Sequence, residues 1–163
     1  MKEKISMRPI GIIHSPFKNV ADIPFQARFA EDIRGSVEVY DEYCAGLKDL
    51  EGFSHIILLY YLHKVHDFDL EVIPYMDTRR RGLFATRAPR RPNPIGISVV
   101  RLQSIENTIL RIRNIDMLDG TPLLDIKPYI PELDDQTIIR SGWLEEVRNE
   151  RQRKGEPRSI RDP

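Results

Sequence analysis

The apolar positions of this chain fall into short runs, most of which have the two-residue period of β-strands. Ser36 to Tyr40 alternates apolar and polar residues, and Thr108 to Ile115 alternates Ile or Leu with Arg and Asn. Pro9 to His14 and Ile97 to Leu102 are also strand-like, because they are rich in β-branched residues and have no helix start signal. Phe53 to Leu62 is the most apolar run, and its Ile, Tyr and Phe content predicts a central strand.

The segments between these runs predict turns and loops rather than helices. Pro16 to Arg28 contains two prolines and predicts a long loop, and Asp41 to Leu50 predicts one short helix. Thr78 to Pro94 is so rich in Arg and Pro that no regular element is expected to cross it. Asp119-Gly120 is a turn signal that predicts a hairpin leading into Leu123 to Lys127. Five or six strands with few helices indicate a mainly β fold, an antiparallel barrel or sandwich.

Length and composition indicate one folded domain. A chain of 163 residues with 40% hydrophobic residues can bury one core. We expect a domain over residues 1–144, followed over 145–163 by a charged tail that is a frayed helix or is disordered, because the tail has almost no apolar residues. The 25 basic and 25 acidic residues balance, so any nucleic-acid site must come from local clustering.

Several functional classes are disfavoured. The single cysteine, Cys44, excludes an internal disulfide and makes a cysteine-based zinc site improbable. The N-terminal MKEKISMRPIGII resembles neither a signal peptide nor a membrane span, so a cytoplasmic location is expected. The glycine-rich nucleotide fingerprint and the phosphate-loop motif are absent from the sequence. A nucleotide-like cofactor would therefore bind through another architecture.

Six arginines crowd the segment 79–91, which also contains a rigid proline-rich stretch. Arginine suits phosphate because its planar fork donates two parallel hydrogen bonds, so the cluster indicates an RNA-backbone or other anion site. The alternative is an exposed loop whose arginines pair with nearby acids such as Asp67, Asp69 and Glu71. The following Arg91-Pro92-Asn93-Pro94-Ile95-Gly96 is stiffened by two prolines, and it suits either a pocket wall or a turn between strands.

Four ordered blocks of sequence resemble one known family. Leu83 to Leu102, LFATRAPRRPNPIGISVVRL, is similar to the signature of the TrmO family, also called YaeB-like or TsaA-like. Gly11 to Phe17, Gly46 to His55 and Leu118 to Tyr129 resemble the family's other blocks in the same order. The resemblance implies an antiparallel β-barrel, a homodimer, and S-adenosylmethionine bound outside the Rossmann scheme. It also implies methylation of N6 of threonylcarbamoyladenosine, the base next to the tRNA anticodon.

The resemblance also implies a set of cofactor contacts in this chain. Phe25 could stack on the adenine, Asp116 or Asp119 could accept hydroxyl or ammonium protons, and Arg87 could clamp the carboxylate. The complete set of cofactor positions carried over from the family is Pro24, Phe25, Gln26, His63, Lys64, Arg87, Ile97, Asp116, Met117, Leu118 and Asp119.

His63 is a candidate general base, because an imidazole titrates near neutrality. The alternative is that it only forms a hydrogen bond to the cofactor. The arginines left over for RNA or dimer contacts are Arg79, Arg80, Arg81, Arg90 and Arg91. No metal site is expected, because the spacing of His14, His55 and His66 matches no standard ligand set.

Three functions are compatible with the sequence. The first is a tRNA adenine-N6 methyltransferase that uses S-adenosylmethionine and has tRNA as its substrate partner. The second is a methyltransferase of another acceptor, such as a small molecule. The third is a non-catalytic module that binds the cofactor or RNA.

Overall fold

The computed structural model describes residues 5–23, 32–135 and 139–155. The eight strands in this part of the chain, numbered in chain order, are β1 (Gly11–His14), β2 (Arg34–Val39), β3 (His55–Tyr61), β4 (Glu71–Val72), β5 (Arg81–Gly82), β6 (Ile95–Glu106), β7 (Ile109–Arg113) and β8 (Thr121–Pro128). The α-helices are α1 (Pro131–Asp134) and α2 (Trp143–Arg153), and short 3₁₀ helices cover Val20–Asp22, Asp41–Leu47, Leu50–Gly52 and Leu83–Ala85. The structure therefore confirms the prediction of a mainly β fold with few short helices.

Six antiparallel strands close into a barrel in the order β1-β2-β7-β6-β3-β8. β3 pairs with both β6 and β8, so the central strand predicted from the most apolar run is confirmed. Because successive side chains of a strand point to opposite faces, every second side chain points into the barrel. The side chains of Val37, Ile56, Val100 and Leu110 are fully buried there. The barrel interior is thus one closed hydrophobic core.

The hairpin predicted at Asp119-Gly120 is wrong, although the turn itself is present. Gly120 has φ +76°, and its N–H donates to the carbonyl of Ile13 at 2.9 Å. The strand that follows pairs with β1 and β3, not with the preceding β7. A turn signal fixes a local reversal but not the partner strand, and here barrel closure selects that partner. The tight hairpin instead joins β6 to β7, where Asn107 adopts φ +55°.

The chain divides into two compact units, of which the barrel unit consists of Met1–Asp67 and Pro89–Tyr129. The second unit, Phe68–Ala88 with Ile130–Pro163, contains the two-stranded sheet β4-β5 and helix α2. Within it, the Trp143 indole donates to the carbonyl of Ala85 at 2.8 Å, and Val147 is buried. The predicted division after residue 144 stays a prediction. No helix among the described residues is long and apolar enough to cross a membrane.

Candidate functional site

The connection from β3 and the start of β6 lie side by side at one end of the barrel. The N–H of Leu62 donates to the carbonyl of Pro94 at 2.8 Å, immediately before His63 and just before Ile95 begins β6. The proline-rich stretch, predicted as either a pocket wall or a turn, thus leads into β6 and is tied to the segment that carries His63. We call this region, residues 60–64 with 94–98, the β3–β6 end.

A chain of hydrogen bonds leads from the core to this end. The hydroxyls of Tyr60 and Ser98 lie 3.0 Å apart, and the Ser98 hydroxyl donates to the Asp116 carboxylate at 2.8 Å. Burial, together with the charge of Asp116, raises the pKa of Tyr60 to about 12. Burial also raises the pKa of Asp116, although the hydrogen bond from Ser98 partly opposes this. Asp116 is therefore an acceptor in a partly dehydrated setting, where hydrogen bonds are strong.

Gly96 sets the position of the Tyr60 ring. A Cβ atom at residue 96 would overlap that ring, so the two strands approach at this point only because residue 96 has no side chain. The paired residues Tyr60 and Gly96 are directly opposite in the ladder of β3 and β6. The close contact holds the Tyr60 hydroxyl against Ser98.

His63 is half-buried in the turn that follows β3, and Lys64 beside it is exposed. Burial lowers the pKa of His63, the charge of Lys64 lowers it further, and a backbone hydrogen bond with Tyr61 opposes both. The imidazole is therefore neutral at neutral pH. A neutral ring has one nitrogen that can accept a proton or a hydrogen bond.

Ile97 lies on the outer face of the barrel, where its side chain is 56% exposed. Val99 and Tyr61, on the same face of β6 and β3, are also exposed, and the half-buried Ile57 and Leu59 lie opposite Val99 and Ile97 in the ladder. We call these five residues the outer strip. It is an apolar surface beside the β3–β6 end, on the opposite face of β6 from Ser98.

The loop from Asp116 to Asp119 is fastened to the end of β1. The Ser15 hydroxyl donates to the carbonyl of Met117 at 2.7 Å, and the Met117 side chain is buried in the core. Leu118 is half-buried, and its carbonyl accepts a hydrogen bond from Thr121 at 2.7 Å. Met117 therefore offers a ligand its backbone rather than its side chain.

Asp119 contacts the end of β1 and the residues that follow it. Its carboxylate accepts hydrogen bonds from the backbone of Ser15 at 3.0 Å and from the Lys18 ammonium, and His14 lies at 3.9 Å. The hydrogen bond from Lys18, followed by that from Ser15, lowers the pKa of Asp119. Of the predicted cofactor residues, the β3–β6 end thus contains His63, Lys64 and Ile97, and Ser98 of this end is hydrogen-bonded to Asp116. Asp119 instead contacts Ser15 and Lys18.

Four other predicted cofactor positions are either in the second compact unit or outside the described residues. Arg87 is exposed and belongs to the second compact unit. Pro24, Phe25 and Gln26 lie outside the described residues. Their roles stay predictions.

Three arginines of the 79–91 cluster have carboxylate partners within the second unit. Arg79 contacts Glu150 at 3.2 Å and Arg80 contacts Glu71 at 3.4 Å. Arg81 bonds Asp77 at 2.7 Å, and its guanidinium lies 5.1 Å from the centre of the Trp143 ring. Arg90 is exposed and Arg91 is half-buried. The assignment of these five arginines to RNA or dimer contacts stays a prediction. The alternative, a loop whose arginines pair with acidic residues, describes Arg79, Arg80 and Arg81.

Within the described residues, no three His, Cys, Asp or Glu side chains come together as a metal site would require. Two of the four histidines of the chain form hydrogen bonds with neighbouring side chains. His14 bonds Glu38 at 2.9 Å, and His55 bonds the Ser54 hydroxyl at 2.9 Å.

The family described as the tRNA-methyltransferase O N-terminal domain matches residues 12–135, which include the whole β3–β6 end and the loop to Asp119. The chain belongs to this family. The resemblance predicted from four sequence blocks is thereby confirmed, and the TrmO domain accounts for the closed barrel.

The chain covers different shares of the length of its relatives. It is 62% identical over 141 residues to a probable S-adenosyl-L-methionine-binding protein of Pyrococcus abyssi, covering 86% of this chain and 77% of that one. It is 36% identical over 132 residues to the tRNA (adenine(37)-N6)-methyltransferase of Escherichia coli, covering 75% and 56%. The crystal structure of TrmO from Pseudomonas aeruginosa superposes with a TM-score of 0.73 at 41% identity, covering 86% and 62%. The chain thus spans somewhat over half of the latter two proteins.

Two groups of polar residues in this domain were not predicted from the sequence. Tyr60 and Ser98 were assigned only to strands, because a run of apolar residues conceals which hydroxyls will meet across a ladder. The second group is formed by arginines of β2, β6 and β7. The alternation of Arg with Ile in β7 was a usable signal, because it places Arg111 and Arg113 on one face.

Proposed function

We propose that this protein is an S-adenosylmethionine-dependent methyltransferase that acts on N6 of an adenine in tRNA, and more narrowly on threonylcarbamoyladenosine next to the anticodon. The observation that carries the proposal is the family match over residues 12–135, within which the β3–β6 end contains three of the predicted cofactor residues and is hydrogen-bonded to a fourth, Asp116. A tRNA substrate is also consistent with the predicted cytoplasmic location.

The residues at the β3–β6 end fit such a cofactor chemically. When bound, S-adenosylmethionine supplies a methyl group on a sulfonium, together with an adenine, ribose hydroxyls and an amino-acid end. Asp116 offers a half-buried carboxylate that Ser98 orients, which suits a hydroxyl or ammonium donor. Ile97 offers an exposed apolar side chain, which suits the face of a base. Methyl transfer depends mainly on such positioning.

His63 supplies the neutral nitrogen acceptor of the site. Its lowered pKa keeps one ring nitrogen unprotonated at neutral pH. We assign it a hydrogen bond to the cofactor. The competing assignment is that it accepts the proton that the acceptor amine loses, and the two assignments predict different kinetic consequences for its removal.

We propose further that the protein forms a homodimer through the outer strip. Ile97, Val99 and Tyr61 expose 56%, 43% and 42% of their surfaces side by side on a sheet face, which is typical of an interaction site. We favour a second copy of this chain as the partner that covers the outer strip. Ile97 lies on the outer face of the barrel, so a ligand that contacts it needs a second protein surface to exclude water. Sedimentation of the full chain tests the dimer.

A tritiated-methyl transfer assay tests the main proposal. Labelled cofactor would be incubated with tRNA that has or lacks the threonylcarbamoyl group, and calorimetry would measure cofactor binding in parallel. We expect label only in the modified tRNA. Label in both would move the acceptor to another site on tRNA, and absence of cofactor binding would reject both methyltransferase functions.

A second candidate is a cofactor-binding protein with another acceptor or with none. The 62% identical relative from Pyrococcus abyssi is named for S-adenosyl-L-methionine binding and not for an acceptor. Cofactor binding without label transfer to either tRNA would favour this candidate.

A further inference from the structure

Three arginines stand opposite one another on neighbouring strands of the barrel. Arg34 of β2 pairs with Arg113 of β7, and Arg113 pairs in turn with Arg101 of β6. Arg111 lies two residues before Arg113 in β7 and is exposed beside the row. We call Arg34, Arg101, Arg111 and Arg113 the arginine face.

The strand period directs these side chains outward. The neighbouring Ile112 and Val100 are fully buried, so the residues that flank them point away from the core. Neighbouring strands lie about 4.8 Å apart, which brings the three opposed arginines within roughly 10 Å of one another. Like charges directly opposite in a sheet are destabilising, so the row weakens the free barrel.

Carboxylates in the described residues neutralise this face only in part. Arg113 bonds Asp32 at 2.7 Å, and Arg111 lies 3.8 Å from Glu106. Arg34 and Arg101 have no carboxylate within 4.0 Å in the part of the chain that the structure describes. The contrast with Arg79, Arg80 and Arg81 is direct, because each of those three has an acidic partner.

An open depression of about 760 Å³ is lined by three of the four arginines of the arginine face, all except Arg101. Among the described residues, its cationic lining is Lys18, Arg34, Arg111 and Arg113, and Asp119 is the one carboxylate that lines it. The hydroxyls of Ser36 and Ser104 also line it. The whole chain has as many acidic as basic residues, so this concentration of positive charge is local.

We propose that the arginine face binds the phosphate backbone of RNA, which in the proposed function is the tRNA substrate. Guanidinium groups match phosphate through paired hydrogen bonds, and serine hydroxyls are common additional donors. Three arginines across three strands exceed what one phosphate group can engage, so a run of phosphates is the better match. Bound phosphates also relieve the repulsion between the opposed arginines. The inference rests on the proposed function only for the identity of the RNA.

The test compares two pairs of substitutions in the full chain. R34Q/R101Q removes the two arginines without a carboxylate partner, and K48Q/K127Q removes two exposed lysines of the barrel unit that are not part of β2, β6 or β7. Affinity for tRNA and for an unrelated structured RNA would be measured by fluorescence anisotropy over a range of salt concentrations. Calorimetry with S-adenosylmethionine and circular dichroism would confirm that each variant retains the fold.

We expect R34Q/R101Q to weaken tRNA binding roughly tenfold and to reduce the slope of log K against log salt by about 1.5, because two phosphate contacts are lost. K48Q/K127Q, which removes the same number of positive charges away from the arginine face, should change affinity less than about twofold. Unchanged affinity and slope for R34Q/R101Q, or wild-type protein that binds neither RNA, would overturn the inference. Binding of both RNAs through the arginine face without methyl transfer would uphold the inference and reject the proposed function.

Discussion

The Ser98 hydroxyl donates to the Asp116 carboxylate at 2.8 Å, and it is 3.0 Å from the Tyr60 hydroxyl on the paired strand. Through this contact, a strand of the barrel determines where a carboxylate of the β7–β8 connection points. The orientation of the Asp116 side chain is therefore determined by the barrel strands as well as by the loop that contains it.

D116N should separate stability from cofactor binding. The pKa of Asp116 is raised in the folded protein, so its stabilising contribution is complete below its ordinary pKa of 3.8 and is lost as pH rises through the folded pKa. At pH 7 the variant should equal or exceed the wild type in denaturant unfolding. Its cofactor affinity should fall about ten- to a hundredfold, because a charged acceptor is lost. Unchanged affinity in calorimetry would remove Asp116 from the cofactor site.

D119N should show the opposite pH behaviour. The hydrogen bond from Lys18 lowers the pKa of Asp119, so its contribution is present above the ordinary value of 3.8 and is lost as pH falls through the folded pKa. At pH 7 the variant should have a lower free energy of unfolding than the wild type. As the pH falls below 3.8, its free energy of unfolding should decrease less than that of the wild type. Urea unfolding at a series of pH values measures this. If the variant were less stable than the wild type by the same amount at every pH, Asp119 would not contribute through its lowered pKa.

G96A should destabilise the barrel. The added methyl group would overlap the Tyr60 ring, so either the strands separate or the ring leaves Ser98. Overpacking of this kind destabilises by about 1–3 kcal/mol, measured as a lower denaturation midpoint. G46A is the matched control, because a Cβ there meets no atom within 4 Å. Equal stability of the two variants would show that the contact is relaxed without strain.

H63A should weaken cofactor binding about tenfold and leave kcat at saturating cofactor within severalfold of the wild type, because we assign His63 a hydrogen bond to the cofactor. Steady-state methyl transfer with varied cofactor measures both constants. A fall in kcat of a hundredfold or more at saturation would instead identify His63 as the general base.

V99E should shift the protein from dimer to monomer. The substitution places a charge in the outer strip without altering the buried face of β6. Analytical ultracentrifugation measures the association constant. I73E is the matched control, since Ile73 is 59% exposed and lies outside the strip. Dissociation by both variants, or by neither, would argue against an interface at the outer strip.

Much of the fold was predictable because the relevant signal is local. The alternation in Ser36–Tyr40 and Thr108–Ile115 predicted β2 and β7, and the resemblance added the barrel. Partner choice was not predictable, because it depends on closure of the whole sheet, and the turn at Gly120 was therefore assigned to the wrong strand pair. The arginine row was not apparent either, since Arg34, Arg101 and Arg113 are far apart in sequence and meet only through register.

The attachment of the Met117 loop to β1 also affects how the protein folds. Ser15 and Met117, which form a buried hydrogen bond, are 102 residues apart in the chain. Contacts of such long sequence separation close slowly, because a large loop must be ordered before they form. During synthesis, both β1 and β3 therefore lack one neighbour until β8 has left the ribosome. Their two exposed edges are the places where a chaperone would be expected to act.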